Sequence, residues 1–322
     1  IRAKLKVDKK EKYDIVSITD YAKKASSTVE DYSKDDIIAV IYAQGEIAGG
    51  EGDVNVIGEG SIKRSLQEAR DDKDVKAIVL RVNSPGGSAL TSELIWREIE
   101  ITKKVKPVVV SMGNYAASGG YYIAANADRI FAEPNTITGS IGVFGMLPNM
   151  NQLGKNIGIN AEQVKTHENA SGYSVFEPID ENFKGFVLES IEKTYATFLK
   201  RVADGRKMTT AQVDAIAQGR VWTGVDAHKL GLVDEIGGLD AAIKYAAKLG
   251  KTSSYRTENY PEYEKSFEDM LANFTGMAMF KTKEQLLKEQ LGEEGFQMLE
   301  QIKRVKSRKG IQAIMPYEIQ IH

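Results

Sequence analysis

The chain reads as an α/β protein organised around a buried parallel sheet, and three features carry that reading. Residues 37–42, 77–82 and 107–112 are short apolar runs rich in Val and Ile, as expected of strands covered on both faces. Helical spacing separates them: Ile62, Leu66 and Ala69 share one face, and residues 88–104 form a second helix. Strand and helix therefore alternate, and right-handed crossovers between parallel neighbours follow. At 322 residues, 42% of them hydrophobic, the chain can bury a sizeable core in one large domain or two small ones.

Taken in order, residues 1–35 are lysine-rich and hold one strand-like stretch at 13–18, which suits a connecting arm. After the strand at 37–42, Gly45, Gly49, Gly50 and Gly52 mark a flexible loop. Residues 79–88, Val-Leu-Arg-Val-Asn-Ser-Pro-Gly-Gly-Ser, read as strand, turn and helix start, and residues 107–126 repeat that order. Residues 135–145 form a glycine-interrupted strand pair, where close approach by another backbone is common. Leu188, Ile191, Tyr195 and Phe198 trace an apolar stripe on a helix over 180–203, for the core or a subunit contact. Thr209 caps a short helix running to Gln218, Trp222 anchors packing before a helix at 224–230, and a last core helix covers 240–249. Residues 251–322 form a carboxyl-terminal extension, either peripheral or an assembly arm, with charged helical segments at 281–308 and an edge strand at 315–322. The domain organisation expected is thus an arm at 1–35, a catalytic domain at 36–250 and the extension at 251–322.

Bulk composition excludes several classes. The formal charge of −2, from 43 basic and 45 acidic residues, gives no support to nucleic-acid binding. Cysteine is absent, which removes thiol nucleophiles, disulfides and cysteine metal sites and fits an extracytoplasmic protein. No apolar run reaches the length of a membrane span, no signal peptide is visible, and the chain starts at Ile1. The expectation is a piece of a longer protein whose targeting segment lies elsewhere.

The chemistry centres on Ser118, which falls on the turn between a buried strand and a helix start. Ala116, Ala117, Gly119 and Gly120 crowd it with small side chains, so backbone N–H groups can approach whatever the hydroxyl attacks. The stretch departs from the hydrolase elbow G-x-S-x-G, because Ala116 stands at the first glycine. An oxyanion hole needs donors from two backbone segments, and the two glycine turns at one sheet edge supply them. Gly87 N–H and Gly119 N–H are the candidates. A serine hydroxyl also needs a base, and the chain has only His167, His228 and His322. His228 reads as a surface residue and His322 is terminal. His167 follows a strand-like segment at 161–166 and would make a Ser/His pair with Ser118.

Five motifs in sensible order carry a resemblance to a known family. They are N-S-P-G-G-S at 83–88, Y-A-A-S-G-G-Y-Y at 115–122, T-G-S-I-G-V at 138–143, and Q-G-R-V-W-T-G at 218–224 with G-L-V-D at 231–234. Over about residues 36–250 the chain resembles the signal peptide peptidase A (protease IV) family, in the superfamily of the Clp proteolytic subunit and crotonase. It is most similar to the carboxyl-terminal half of the long two-repeat form. The resemblance implies an α/β, Clp-protease/crotonase-like fold of repeated β-β-α units, a loop at 45–52 bordering the substrate groove, and specificity residues around 142–147. It implies a Ser/Lys dyad in which Ser118 attacks and Ser140 orients a lysine of lowered pKa. In single-repeat members that lysine lies in Val-x-Thr-Gly-x-x-Lys, and here the matching position is Ala170. The base is therefore expected from an amino-terminal half or another subunit outside this chain, with Lys165 as the nearest internal substitute.

The family further implies hydrophobic peptides, cleaved signal peptides among them, as substrates. It implies a homo-oligomer, an anchor elsewhere in the protein, and a bacterial inner membrane setting with the catalytic domain periplasmic; neither metal nor nucleotide is expected. Two other readings stand beside this one: a crotonase-like enzyme using the same oxyanion hole on a thioester, and a non-catalytic assembly half, which the missing lysine would suit.

Overall fold

The computed structural model of the protein describes residues 36–167, 170, 172–261, 291, 292, 295, 296, 299 and 311–315. β1 (Ile37–Gln44) opens the fold with residues 37–41 wholly buried. The segment after it, expected as a flexible loop, is instead folded into β2 (Glu46–Ala48), β3 (Gly52–Asp53) and β4 (Val56–Gly58). Glycine permits this because the backbones nearly touch: a Cβ on Gly52 would fall 2.4 Å from Gly58 N. α1 (Glu59–Asp71) then buries Ile62, Leu66 and Ala69, the face its spacing predicts. β5 (Val75–Ser84) and β6 (Gly86–Ser88) lead into α2 (Ala89–Lys103), where the Ser88 side chain accepts the Thr91 N–H as an N-cap.

β7 (Val108–Ala117) and α3 (Gly119–Ala124) flank Ser118, followed by β8 (Arg129–Ala132) and β9 (Ile137–Gly139). The glycine-interrupted pair expected within 135–145 does not form there. β9 stops at Gly139, because Ser140 takes a positive φ of 48°, and β9 finds its antiparallel partner much later in the chain. α4 (Asn151–Asn156) is short, and α5 (Glu181–Arg206) is long, capped by the Asp180 side chain. Its expected apolar stripe divides: Phe198 is fully buried, whereas Leu188 is 52% exposed. α6 (Thr210–Ile216) starts at the expected Thr209 cap, which forms a reciprocal capping box with Gln212, and ends at Ile216 rather than Gln218. β10 (Val221–Thr223), α7 (Gly224–Lys229), β11 (Glu235–Ile236), α8 (Leu239–Leu249), β12 (Arg256–Tyr260) and β13 (Gln312–Ile314) complete the described chain.

The main sheet runs β10-β9-β7-β5-β1-β12, with β8 beside β7 and β11 beside β8. All its pairs are parallel except β9/β10. β12, in the expected extension, thus adds to the sheet beside β1. Side chains alternate across it: Ile38, Val40, Val79 and Val109 meet Ala242 and Ala246 of α8, while Ile41, Leu80, Val110 and their neighbours pack with α1, α2 and α3 on the other face. A second sheet, β13-β6-β2-β4-β3, stands on the ends of β1 and β5. Two successive units, β1–β2 before α1 and β5–β6 before α2, give the repeated β-β-α order of the expected α/β fold.

Residues 161–166, expected as strand-like, form neither helix nor strand; Val164 is 99% exposed, so no face of the segment is buried to hold it extended. The strand expected at 13–18, the helices at 281–308 apart from five residues, and the edge strand at 315–322 apart from Met315 lie outside the described residues.

One buried ion pair ties α5 to the far side of the sheet. Arg206 donates to Asp234 Oδ1 at 2.6 Å and Oδ2 at 3.0 Å, and Asp234 Oδ2 also accepts the Ile130 N–H. Burial alone would raise the Asp234 carboxyl, but hydrogen bonds and charge from Arg206 outweigh it and hold the group below its ordinary value. Asp234→Ala is expected to cost about 3 kcal/mol in urea denaturation, because it strands a guanidinium whose side chain is only 7% exposed. Since the folded value is depressed, the contribution is complete above about pH 4 and disappears as pH falls through the folded value, so acid should narrow the gap between variant and parent.

Candidate active site

Ser118 sits between β7 and α3 with φ 53° and ψ −115°, a conformation that costs a non-glycine residue about 1–3 kcal/mol. Its neighbours fix it. Its N–H donates to Gly139 O at 2.8 Å, its carbonyl accepts the Tyr122 N–H at 2.8 Å, and its hydroxyl donates to Gly142 O at 3.4 Å. The small residues around it are forced by space, since a Cβ on Gly120 would lie 2.7 Å from Ser84 O.

The second glycine turn meets the first. Asn83 Oδ1 accepts the N–H of Asn114 at 3.1 Å and of Tyr115 at 3.4 Å, at the point where the β5/β7 register shifts. Ser84 Oγ accepts the Gly86 N–H at 3.1 Å. Gly86 then takes φ 100°, where a Cβ would fall 2.7 Å from Gly119 N and 3.1 Å from Ala117 O. Gly87 lies opposite Ile47 of β2, whose carbonyl oxygen would be 2.0 Å from a Cβ there. Ser118, Gly119 and the Gly86–Gly87 turn are therefore brought to one sheet edge. Ser140 joins them through its neighbour, because Gly139 accepts the Ser118 N–H, and Ser140 itself is buried with its N–H donated to Arg220 O at 2.7 Å.

Tyr121 and Tyr122 have roles that the sequence reading left unassigned. Tyr121 OH, fully buried and with its pKa pushed up by that burial, donates to Leu232 O at 2.8 Å. Tyr122 OH donates to Glu93, which also takes Arg201, and the Arg201 guanidinium lies 3.8 Å from the centre of the Trp96 ring. These contacts clamp α3 between α2 and α5. The aromatic pair directly after a glycine pair was the signal available in the sequence.

No titratable side chain hydrogen-bonds Ser118 among the described residues. Lys165 and His167 are both exposed, and the His167 ring nitrogen is 3.1 Å from Thr166 Oγ1, so the structure does not bring either to the serine. Ala170 is exposed as well. Burial lowers the pKa of Lys106, but that lysine sits at the opposite end of β7, on the order of 30 Å from Ser118 at about 3.3 Å per residue. Among the described residues no cluster of metal-ligating side chains occurs. A polar cleft of about 730 Å³ bounded by Arg64, Glu68 and Glu258 touches none of the site residues.

A serine on a strained strand-to-helix turn is thus met by a second glycine turn at the edge of a parallel sheet. The chain belongs to peptidase family S49, which it matches over residues 100–253. It is 45% identical over 239 residues to Protease 4 of Haemophilus influenzae, covering 74% of this chain and 39% of that protein. It is 38% identical over 251 residues to a chloroplastic serine protease SPPA of Arabidopsis thaliana, covering 76% of this chain and 37% of that one. A Synechocystis protein named as a protease is 34% identical over 196 residues, covering 60% of this chain and 70% of its own length. The chain thus spans about two fifths of the first two relatives.

Gly86→Ala is expected to destabilise the fold by on the order of 1–3 kcal/mol in urea denaturation, since φ 100° disfavours any side chain and the new Cβ has backbone atoms within 3 Å.

Proposed function

We propose that this chain is the nucleophile-bearing part of a serine endopeptidase that degrades cleaved signal peptides and other hydrophobic peptides. The observation that carries the reading is the placement of Ser118, in a strained backbone conformation, beside Gly119 and the Gly86–Gly87 turn within a chain of a peptidase family. Ser118 Oγ attacks the scissile carbonyl carbon, and its proton passes to a lysine. The Gly87 and Gly119 N–H groups stabilise the oxyanion, the leaving amine takes the proton, and water hydrolyses the acyl-enzyme. Ser140 positions the lysine.

That lysine comes from an amino-terminal half or another subunit. Two facts support this: no titratable side chain hydrogen-bonds Ser118 among the described residues, and Protease 4 of Haemophilus is far longer than the stretch matched here. Assembly into a homo-oligomer is supported by apolar side chains left exposed on α4 and α5, Leu153 at 57% and Phe186 at 60% among them. Attachment to the bacterial inner membrane, with the catalytic part periplasmic, belongs to the same reading. No helix among the described residues is long and apolar enough to cross a membrane.

The test is casein cleavage by this chain co-expressed with an upstream half bearing the lysine. Ser118→Ala is expected to lower turnover at least about 10³-fold with circular dichroism unchanged. Full cleavage by Ser118→Ala would overturn the nucleophile, and Ser118-dependent cleavage by the chain alone would move the base inside it, to Lys165 or His167.

A further inference from the structure

The candidate groove is already filled, by the chain's own carboxyl-terminal segment. β13 pairs antiparallel with β6, Gln312 opposite Ser88, Ala313 opposite Gly87 and Ile314 opposite Gly86. Outside that ladder Ala89 N–H donates to Ile311 O at 3.2 Å and Met315 N–H to Pro85 O at 2.9 Å. Hydrogen-bonded pairs recur every second residue in an antiparallel ladder, so 311, 313 and 315 are the residues that exchange bonds with β6, and the Ala313 carbonyl is aimed at Gly87. The opposite edge of the segment is paired too: Gln312 and Phe144 exchange both backbone bonds, at 2.9 and 3.0 Å.

The Ala313 carbonyl oxygen occupies the space where the two glycine turns meet. A Cβ on Gly86 would fall 2.1 Å from it and 2.7 Å from Gly119 N, and a Cβ on Gly119 would fall 2.9 Å from it. Residues 312–315 are buried, and Ser118 beneath them has no exposed surface. A nucleophile for peptides is thus unreachable while a strand of the same chain lies over it, in the extended form a peptide would adopt.

We propose that residues 311–315 form a built-in pseudosubstrate strand: they fill the peptide groove between β6 and Phe144, with the Ala313 carbonyl at the oxyanion position, and substrate must displace them. This rests on the site assigned above and deepens it. It specifies a ligand: an extended apolar peptide running antiparallel to Gly86–Ser88, with a small side chain on the residue whose carbonyl meets Gly119. The strand lowers apparent peptide affinity by the fraction of time that it is seated.

The absence of cysteine allows a direct lock. Ser88 and Gln312 face each other at a non-hydrogen-bonded position, where Cα atoms are about 4.5 Å apart, within disulfide range. In the full chain carrying Ser88→Cys and Gln312→Cys, oxidation should close a cross-link, seen by mass. A fluorescein-labelled peptide of residues 309–317 should then bind at least about tenfold more weakly than to the reduced protein, by anisotropy. Ala313→Pro, which removes one ladder N–H, should strengthen binding of the same peptide relative to the unmodified chain. Failure of the cross-link to form, equal binding in both redox states, or weaker binding to a folded Ala313→Pro protein would overturn the proposal. Peptide binding does not require Ser118 as nucleophile. Binding that follows the lock in a protein whose Ser118→Ala variant retains peptidase activity would leave the strand standing and remove the catalytic role.

Discussion

The structure depends on holding Ser118 in a backbone conformation that L-residues avoid. Six or so neighbouring groups share the work. Gly139 and Tyr122 take its backbone bonds, Ala116 and Ala117 leave room before it, and Gly119 and Gly120 leave room after it. The conformation costs about 1–3 kcal/mol and persists because the surrounding sheet edge over-determines it. Among the described residues five non-glycine positions have positive φ. Lys207 caps α5 in the left-handed form, as helix ends often do, whereas Ser118 and Ser140 sit side by side at this edge. Ser118 precedes α3, but an ordinary helix start has negative φ, so its strain, beside that of Ser140, supports the site proposed here.

How much of this was legible follows from how local the cause is. The N-S-P-G-G-S run could be read because each residue serves the turn it belongs to: Asn83 caps the β7 bulge, Ser84 and Ser88 satisfy nearby N–H groups, and the glycines sit where a Cβ has no space. The same holds for the helix cap at Thr209 and for the apolar runs of β1 and β5. What could not be read was tertiary. Gly45 to Gly58 carries the composition of a mobile loop, yet its glycines serve close backbone packing in a small sheet. The segment 161–166 was read as strand-like, but nothing buries it. β13 was not read, because its partner lies more than 200 positions earlier and its three residues are too few to carry a pattern.

The site is complete in some respects and open in others. The chain positions the proposed nucleophile, the two glycine turns proposed as donors and a strand edge, and it supports them with an aromatic and ionic clamp through Tyr122, Glu93 and Arg201. It brings neither Lys165 nor His167 to the serine, and Lys106, the one burial-shifted lysine among the described residues, lies at the other end of β7. Such a division makes activity conditional on docking, since proton transfer demands hydrogen-bond contact. A strand seated over the serine adds a second condition, so an unassembled chain would hold its nucleophile both without a base and covered.

The central claim is that Ser118 and the N–H groups of Gly87 and Gly119 converge on one reacting carbonyl. The most direct measurement is a crystal structure of the protein treated with a peptide boronate whose first residue is alanine. The account predicts a covalent bond to Ser118 Oγ, a boronate oxygen at about 2.7–3.1 Å from both N–H groups, and residues 311–315 displaced from β6. A boronate bound elsewhere, or an oxygen turned away from Gly87 and Gly119, would contradict it.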